Sequence, residues 1–207
     1  ISVNSSAGAG VTVTLPSDAA YTTLENVGST QNLTFSNVKN AAVDLGLTSN
    51  DATKSTTINY FGTTLTGSSD NLDINLNAGA GTVAVTGTNA ANALETVTLN
   101  SAADSTLANL NLGTSQTSKL VFTGAGATTI TTIGAGPAST LNTYDAGAAT
   151  GAVNFTAINT TANTITGGAG NDTVAGAAGN DTISTGTGDD QVSGAAGNDN
   201  ITLGAGN

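Results

Sequence analysis

An all-β parallel solenoid is the fold class that this sequence of 207 residues predicts. Three observations carry that reading. Residues 167–207 repeat with a period of nine, and a fixed short period is the mark of a coil in which every repeat adds the same half-turn. Positions 1–166 hold a succession of short runs with period-two alternation, bounded by Gly, Asn, Ser and Asp. Only 42 of the 207 residues are Leu, Ile, Val or Phe, against a net charge of −11. So thin an apolar fraction does not sustain an ordinary globule, whereas repetitive backbone pairing offsets part of the deficit.

Along positions 1–166 the strand candidates are VTVTL (11–15), NLTF (32–35), TTINYF (56–61), NLDINL (71–76), TVAVT (82–86) and ETVTLN (95–100). LANLNL (107–112), KLVFT (119–123), TTITTI (128–133), AVNFT (152–156) and NTIT (163–166) follow. They alternate apolar residues, many of them β-branched or aromatic, with polar ones between turn formers. From about Asn37 to Leu47 the spacing also fits a helix. TLENV (23–27) recurs as ALETV (93–97), a pattern open to two readings: tandem modules, or ordinary strands with Glu25 and Glu95 facing solvent.

The tail resolves into GGAGNDTVA (167–175), GAAGNDTIS (176–184), TGTGDDQVS (185–193) and GAAGNDNIT (194–202), then LGAGN, cut short at Asn207. Every complete block has Gly at its fourth place, Asp at its sixth and Val or Ile at its eighth. Six residues suit a turn and three a short strand. Glycine at places two and four allows positive φ and lets carbonyl groups face inward. Those glycines are Gly168, Gly170, Gly179, Gly186, Gly188 and Gly197. Val174, Ile183, Val192 and Ile201 point to the interior. Two half-turns close one coil, so residues eighteen apart stack at about 4.8 Å. Asp172 then lies over Asp190 on one edge, and Asp181 over Asp199 on the other.

Carboxylates stacked so closely repel unless a cation lies between them. The available ligands are all oxygens, several of them carbonyls, which suits Ca²⁺ better than Mg²⁺. Asp189 fills the fifth place of its block beside Asp190 and joins the acidic candidates. Asn171, Asn180 and Asn198, at the same place, suit turn stabilisation. The segment TGAGATTIT (123–131) fits the template with Thr128 where the aspartate belongs. It reads as a coil that lost its metal ligand and kept its shape, and it favours continuity of the solenoid with the tail.

Composition narrows the function classes. Residues 1–119 hold eight acids and three lysines, and residues 120–207 hold six acids and no base. Such a surface repels nucleic acid and anionic lipid. Cys, His, Arg, Trp and Met do not occur. That removes disulfides, thiol and imidazole metal sites, and Ser–His or Cys–His nucleophiles. Asp70 and Asp73 share one loop-strand stretch without a visible partner, and no catalytic site is expected. No apolar run reaches membrane-spanning length. The chain reads as a piece of a larger protein, with residues 1–166 a Thr/Asn/Ala-rich solenoid region of degenerate repeats and 167–207 a β-roll truncated at its C-terminal end.

The four in-phase blocks resemble the RTX (repeats-in-toxin) family, whose calcium-binding parallel β-roll uses this nonapeptide. Ala177 and Ala195 at place two, and Thr185 at place one, depart from its pattern. The Thr/Ala/Asn/Gly richness upstream, the "LETV" strand starts and LVFTGAGATTIT resemble Gram-negative RTX surface-layer (S-layer) proteins in particular. That resemblance implies type I secretion, a position on the outer cell surface, and self-association into a calcium-bridged lattice. It also implies a cell-surface glycan or lipopolysaccharide as anchor. The alternatives are a module of a large RTX adhesin or matrix protein, or the secretion and folding domain of a type I-secreted enzyme or toxin.

Overall fold

The computed structural model describes residues 1–4, 10–16, 21–39, 43–48, 54–60, 70–78, 80–86, 94–113, 117–134 and 140–206. Phe61, Ala93 and Asn207, which belong to three of the segments above, lie outside them. Among the described residues, twenty strands alternate between two parallel sheets. One sheet holds β1 (Ser2–Val3), β3 (Thr23–Val27), β5 (Val43–Thr48), β7 (Asn71–Asn77) and β9 (Thr96–Ser101). It continues through β11 (Lys119–Gly124), β14 (Thr143–Ala149), β16 (Thr164–Thr166), β18 (Thr182–Ser184) and β20 (Asn200–Thr202). The other holds β2 (Val11–Thr14), β4 (Leu33–Val38), β6 (Ser55–Tyr60), β8 (Ala80–Thr86) and β10 (Ser105–Asn111). There β12 (Thr128–Ile130) and β13 (Ile133–Gly134) both pair with β10, and β15 (Val153–Thr156), β17 (Thr173–Ala175) and β19 (Gln191–Ser193) complete it. The chain is a β-solenoid, and both sheets run from the upstream region into the tail without a break.

Period-two alternation builds the interior directly. Inward positions stack in register: Leu24 beside Leu45, Leu45 beside Ile74, Ile74 beside Leu99, and Leu99 beside Phe122. All five are fully buried. From the other sheet, Phe35, Ile58 and Val85 form a matching row. Such ladders bury the few large side chains completely, at about 25 cal/mol per Å² of apolar surface. The coil then narrows. Asn71 pairs with Thr96, a step of twenty-five along the chain, whereas Thr164 pairs with Thr182, a step of eighteen. At the narrowing, Phe155 stacks between Phe122 and Tyr144, with both centroid distances 5.1 Å. The Tyr144 hydroxyl accepts a 3.0 Å hydrogen bond from the Ile158 N–H. Burial raises its pKa to about 12.

Three expectations need correction. Asn37 to Leu47 is not helical: its described residues lie in β4, a short link and β5. A bulge between Ser36 and Val38 breaks the period-two pattern there, with Asn37 at φ 61° and its Nδ2 donating to the Leu15 carbonyl at 2.7 Å. The two TLENV-like segments are not equivalent either. Register puts Leu24 in the row of Leu99, five residues beyond Leu94. Finally, TTITTI is two short strands, since Thr131 and Thr132 lie between β12 and β13. No helix long and apolar enough to cross a membrane occurs among the described residues.

Candidate metal-binding edges of the roll

In the tail each block folds as the template requires, with a six-residue turn and then a three-residue strand. Register places Thr173 beside Gln191 and Thr182 beside Asn200, an offset of eighteen in both sheets. The aspartates immediately before these strands are therefore stacked in pairs on two edges. Asp190 Oδ1 accepts the Asp172 N–H at 2.9 Å, and Asp199 Oδ1 accepts the Asp181 N–H at 3.0 Å.

Asp172 and Asp181 are each only 1% exposed, and Asp190 and Asp199 are half-buried. Asp172 Oδ1 accepts from Val153 N–H at 2.9 Å and its Oδ2 from Gly168 N–H at 2.8 Å. Asp181 repeats the arrangement with Asn163 N–H at 2.8 Å and Ala177 N–H at 3.3 Å. Burial pushes the Asp172 carboxyl above the ordinary carboxylate range; its two backbone donors pull the other way, and the nearby Asp190 adds to the rise. A stacked acid that resists ionisation is a site in need of positive charge.

Carbonyl oxygens line the same edges. A methyl group on Gly186 would run into the Gly168 carbonyl oxygen, and one on Gly188 into that of Gly170. A methyl on Gly167 would meet the Thr185 carbonyl and stand 2.7 Å from Asp172 Oδ2. Carboxylate and carbonyl oxygens thus close on the same small spaces, which exist because side chains are missing there. Positive φ is confined to part of the set: Gly179 (124°), Gly188 (129°) and Gly197 (138°) at place four, with Gly186 (88°) and Ala195 (70°) at place two. Gly168 and Gly170 do not use it. They are glycine because a Cβ would collide with Ala149 O and with Ala152 N, respectively. A cleft of about 50 Å³ lies against Asp190, lined by Gly188, Leu203, Gly204 and Gly206.

Asp189 is exposed on the outer side of its turn, where its N–H donates to Asn171 Oδ1 at 2.9 Å. Asn198 N–H meets Asn180 Oδ1 in the same way at 2.9 Å. At place five, the side-chain oxygens of Asn171 and Asn180 thus each accept the backbone N–H of the residue eighteen on. In the decayed copy, Thr128 is buried with its hydroxyl 2.5 Å from Ser101 Oγ. Its register neighbours are Ser105 and Val153, so no acid stacks with that position. Upstream, the Asp70 backbone N–H donates to Glu95 Oε2 at 2.7 Å, while its own Oδ2 is buried without a hydrogen-bond partner. Burial, then Glu95, raises its carboxyl pKa. Asp73 Oδ1 accepts from Asn71 Nδ2 at 2.9 Å. Asp145 is held below the usual range by Lys119, 2.8 Å away.

One residue that the nonapeptide count overlooked belongs to the site. Asn163 stands eighteen before Asp181 and is 2% exposed. Its signal was the phase alone: in TANTIT (161–166) Ile165 falls at place eight and Asn163 at place six, while Thr161 stands where the template has Gly.

Among the described residues no three acidic side chains converge on one point. A cation here must complete its shell from backbone carbonyls, an all-oxygen, carbonyl-rich set that fits Ca²⁺. The fold and these edges define a parallel β-roll with acidic corners. Its tail matches the RTX calcium-binding nonapeptide repeat (4 copies) over residues 159–183 and 176–207, under a quarter of the chain. The match begins before Gly167 and takes in Asn163. No curated protein and no solved structure matches the chain.

Proposed function

We propose that this protein is a calcium-stabilised structural module of a bacterial surface layer, secreted by a type I system and assembled into a lattice on the outer cell surface. The observation that carries the calcium reading is the pair of buried aspartates, Asp172 and Asp181. Each is stacked in register on a second aspartate and opens onto carbonyl oxygens. Bound calcium neutralises the stacked charge, and Asp172, Asp181, Asp190 and Asp199 with the place-two and place-four carbonyls would hold it. The residues themselves contribute orientation: backbone N–H groups of the preceding coil fix each carboxylate before any ion arrives.

The structural role is supported by described residues given over to backbone pairing, in which strands such as β9 turn Val97 and Leu99 inward and leave threonines and asparagine on the outer side. Addition of millimolar calcium to the purified chain should produce ordered sheets visible by electron microscopy, dispersed by chelator. A chain that stays monomeric in calcium and captures a surface or glycan would support the adhesin reading instead. Catalysis on added substrates by this chain would overturn the structural role.

A further inference from the structure

The Asn163 side chain does something that no aspartate of the tail does. Its Nδ2 donates to the carbonyl oxygens of Asn159 at 3.0 Å and Thr161 at 3.2 Å, and to Asp181 Oδ1 at 2.9 Å. Counted in the phase of the tail, Asn159 and Thr161 are places two and four of their half-turn, and Asp181 is place six of the next turn on that edge. Three oxygens of the kind that would surround a cation therefore converge on one amide nitrogen. Asn163 Oδ1 is buried and has no hydrogen-bond partner, although a buried carbonyl left unpaired is costly. Turning the amide over would pair nothing better: it would set Oδ1 against three oxygens, an arrangement that only a cation could hold together.

We propose that Asn163 is a built-in end stop for the calcium stack on this edge, its amide nitrogen taking the cation's place between residues 159–163 and Asp181. The proposal rests on the calcium reading of the tail. Its charge logic is simple. Stacked aspartates present two negative charges and need a divalent ion, whereas a neutral amide over one aspartate presents a single charge. That charge is already met by two N–H bonds to Asp181 Oδ1, from the Asn163 backbone at 2.8 Å and side chain at 2.9 Å. The edge can thus join the narrow, metal-bearing coils to the wider coils without leaving an acid exposed to an empty site.

The test is calcium stoichiometry of the full chain, by native mass spectrometry and titration calorimetry, for the parent and for Asn163→Asp. The variant restores the residue that the other blocks carry at this place. It should bind one more calcium ion per chain than the parent, and should be less stable than the parent in chelator because two buried carboxylates then face each other. Equal stoichiometry overturns the proposal. A second measurement needs no variant: in the calcium-saturated parent the Asn163 side-chain NH₂ protons should be protected from exchange by their three oxygen acceptors. Unprotected NH₂ protons in that state would show an amide that does not hold the cation's place, and would overturn it. If neither chain binds calcium, the β-roll reading itself fails and takes the end stop with it; equal, non-zero binding fails the end stop alone.

Discussion

Asp172 offers the sharpest test of how the edge is built, because two backbone donors depend on its carboxylate. Asp172→Ala leaves the N–H groups of Val153 and Gly168 buried without the acceptors now 2.9 and 2.8 Å away. Each orphaned donor costs about 1–3 kcal/mol. Removal of a desolvated charge that Asp190 repels returns part of that in the absence of calcium, so the net loss falls near the lower end, about 2 kcal/mol. Because a repeat array opens locally, the loss belongs to this edge and does not spread evenly over the chain. Amide exchange by NMR in chelator reads it directly: the Val153 and Gly168 amides should exchange about 30-fold faster. Asp172→Asn retains one oxygen and should protect one of the two amides while exposing the other. If both amides stay as protected in the alanine variant as in the parent, the carboxylate does not hold the turn and the account of the edge is wrong.

Three further outcomes follow from the same geometry. Ala195 sits at φ 70°, where a side chain costs about 1 kcal/mol, so Ala195→Gly should raise the tail's stability by about that amount in a urea titration followed by circular dichroism. The raised Asp172 carboxyl means that, without calcium, the folded tail holds its proton more tightly than the unfolded chain does. This contribution is complete below the ordinary value of 3.8 and is lost as pH rises through the raised value, so the melting temperature in chelator should climb on acidification across that window while calcium affinity falls. Thr128→Asp should add no calcium, because Ser105 and Val153 are its register neighbours and neither supplies a second carboxylate. It should instead destabilise its coil by about 3 kcal/mol or more as an uncompensated buried charge, measured by urea titration.

Much of this architecture was legible because a solenoid writes its geometry into its period. Ten of the eleven upstream strand candidates and all four tail strands fall where alternation or the nonapeptide puts them, TTITTI alone splitting in two, and the eighteen-residue stack follows by counting. What was illegible has local causes. In β5, Val43, Leu45 and Leu47 alternate inward, but the outward Gly46 reads as a turn former; its register partner Glu25 closes over it, so that a methyl on the glycine would stand 3.2 Å from Glu25 Cγ. In β14, Tyr144 is followed inward only by Ala146 and Ala149, which carry no strand signal, and Lys119 pairs with Asp145 on the outer face. Phase without identity hid Asn163: a search for aspartate at place six passes over an amide there. The glycines at places two and four were recognised as necessary, but for Gly168 and Gly170 the reason is the crowding of the next backbone, which no single-chain pattern displays.

The central claim is that a continuous solenoid carries a tail whose folding is driven by calcium. Hydrogen exchange of the whole chain, with calcium and with chelator, tests it most directly. Calcium should raise protection throughout 167–206, while the ladder strands of residues 23–27, 71–77 and 96–101 stay protected in both conditions. Equal protection of the tail in the two conditions would contradict the account.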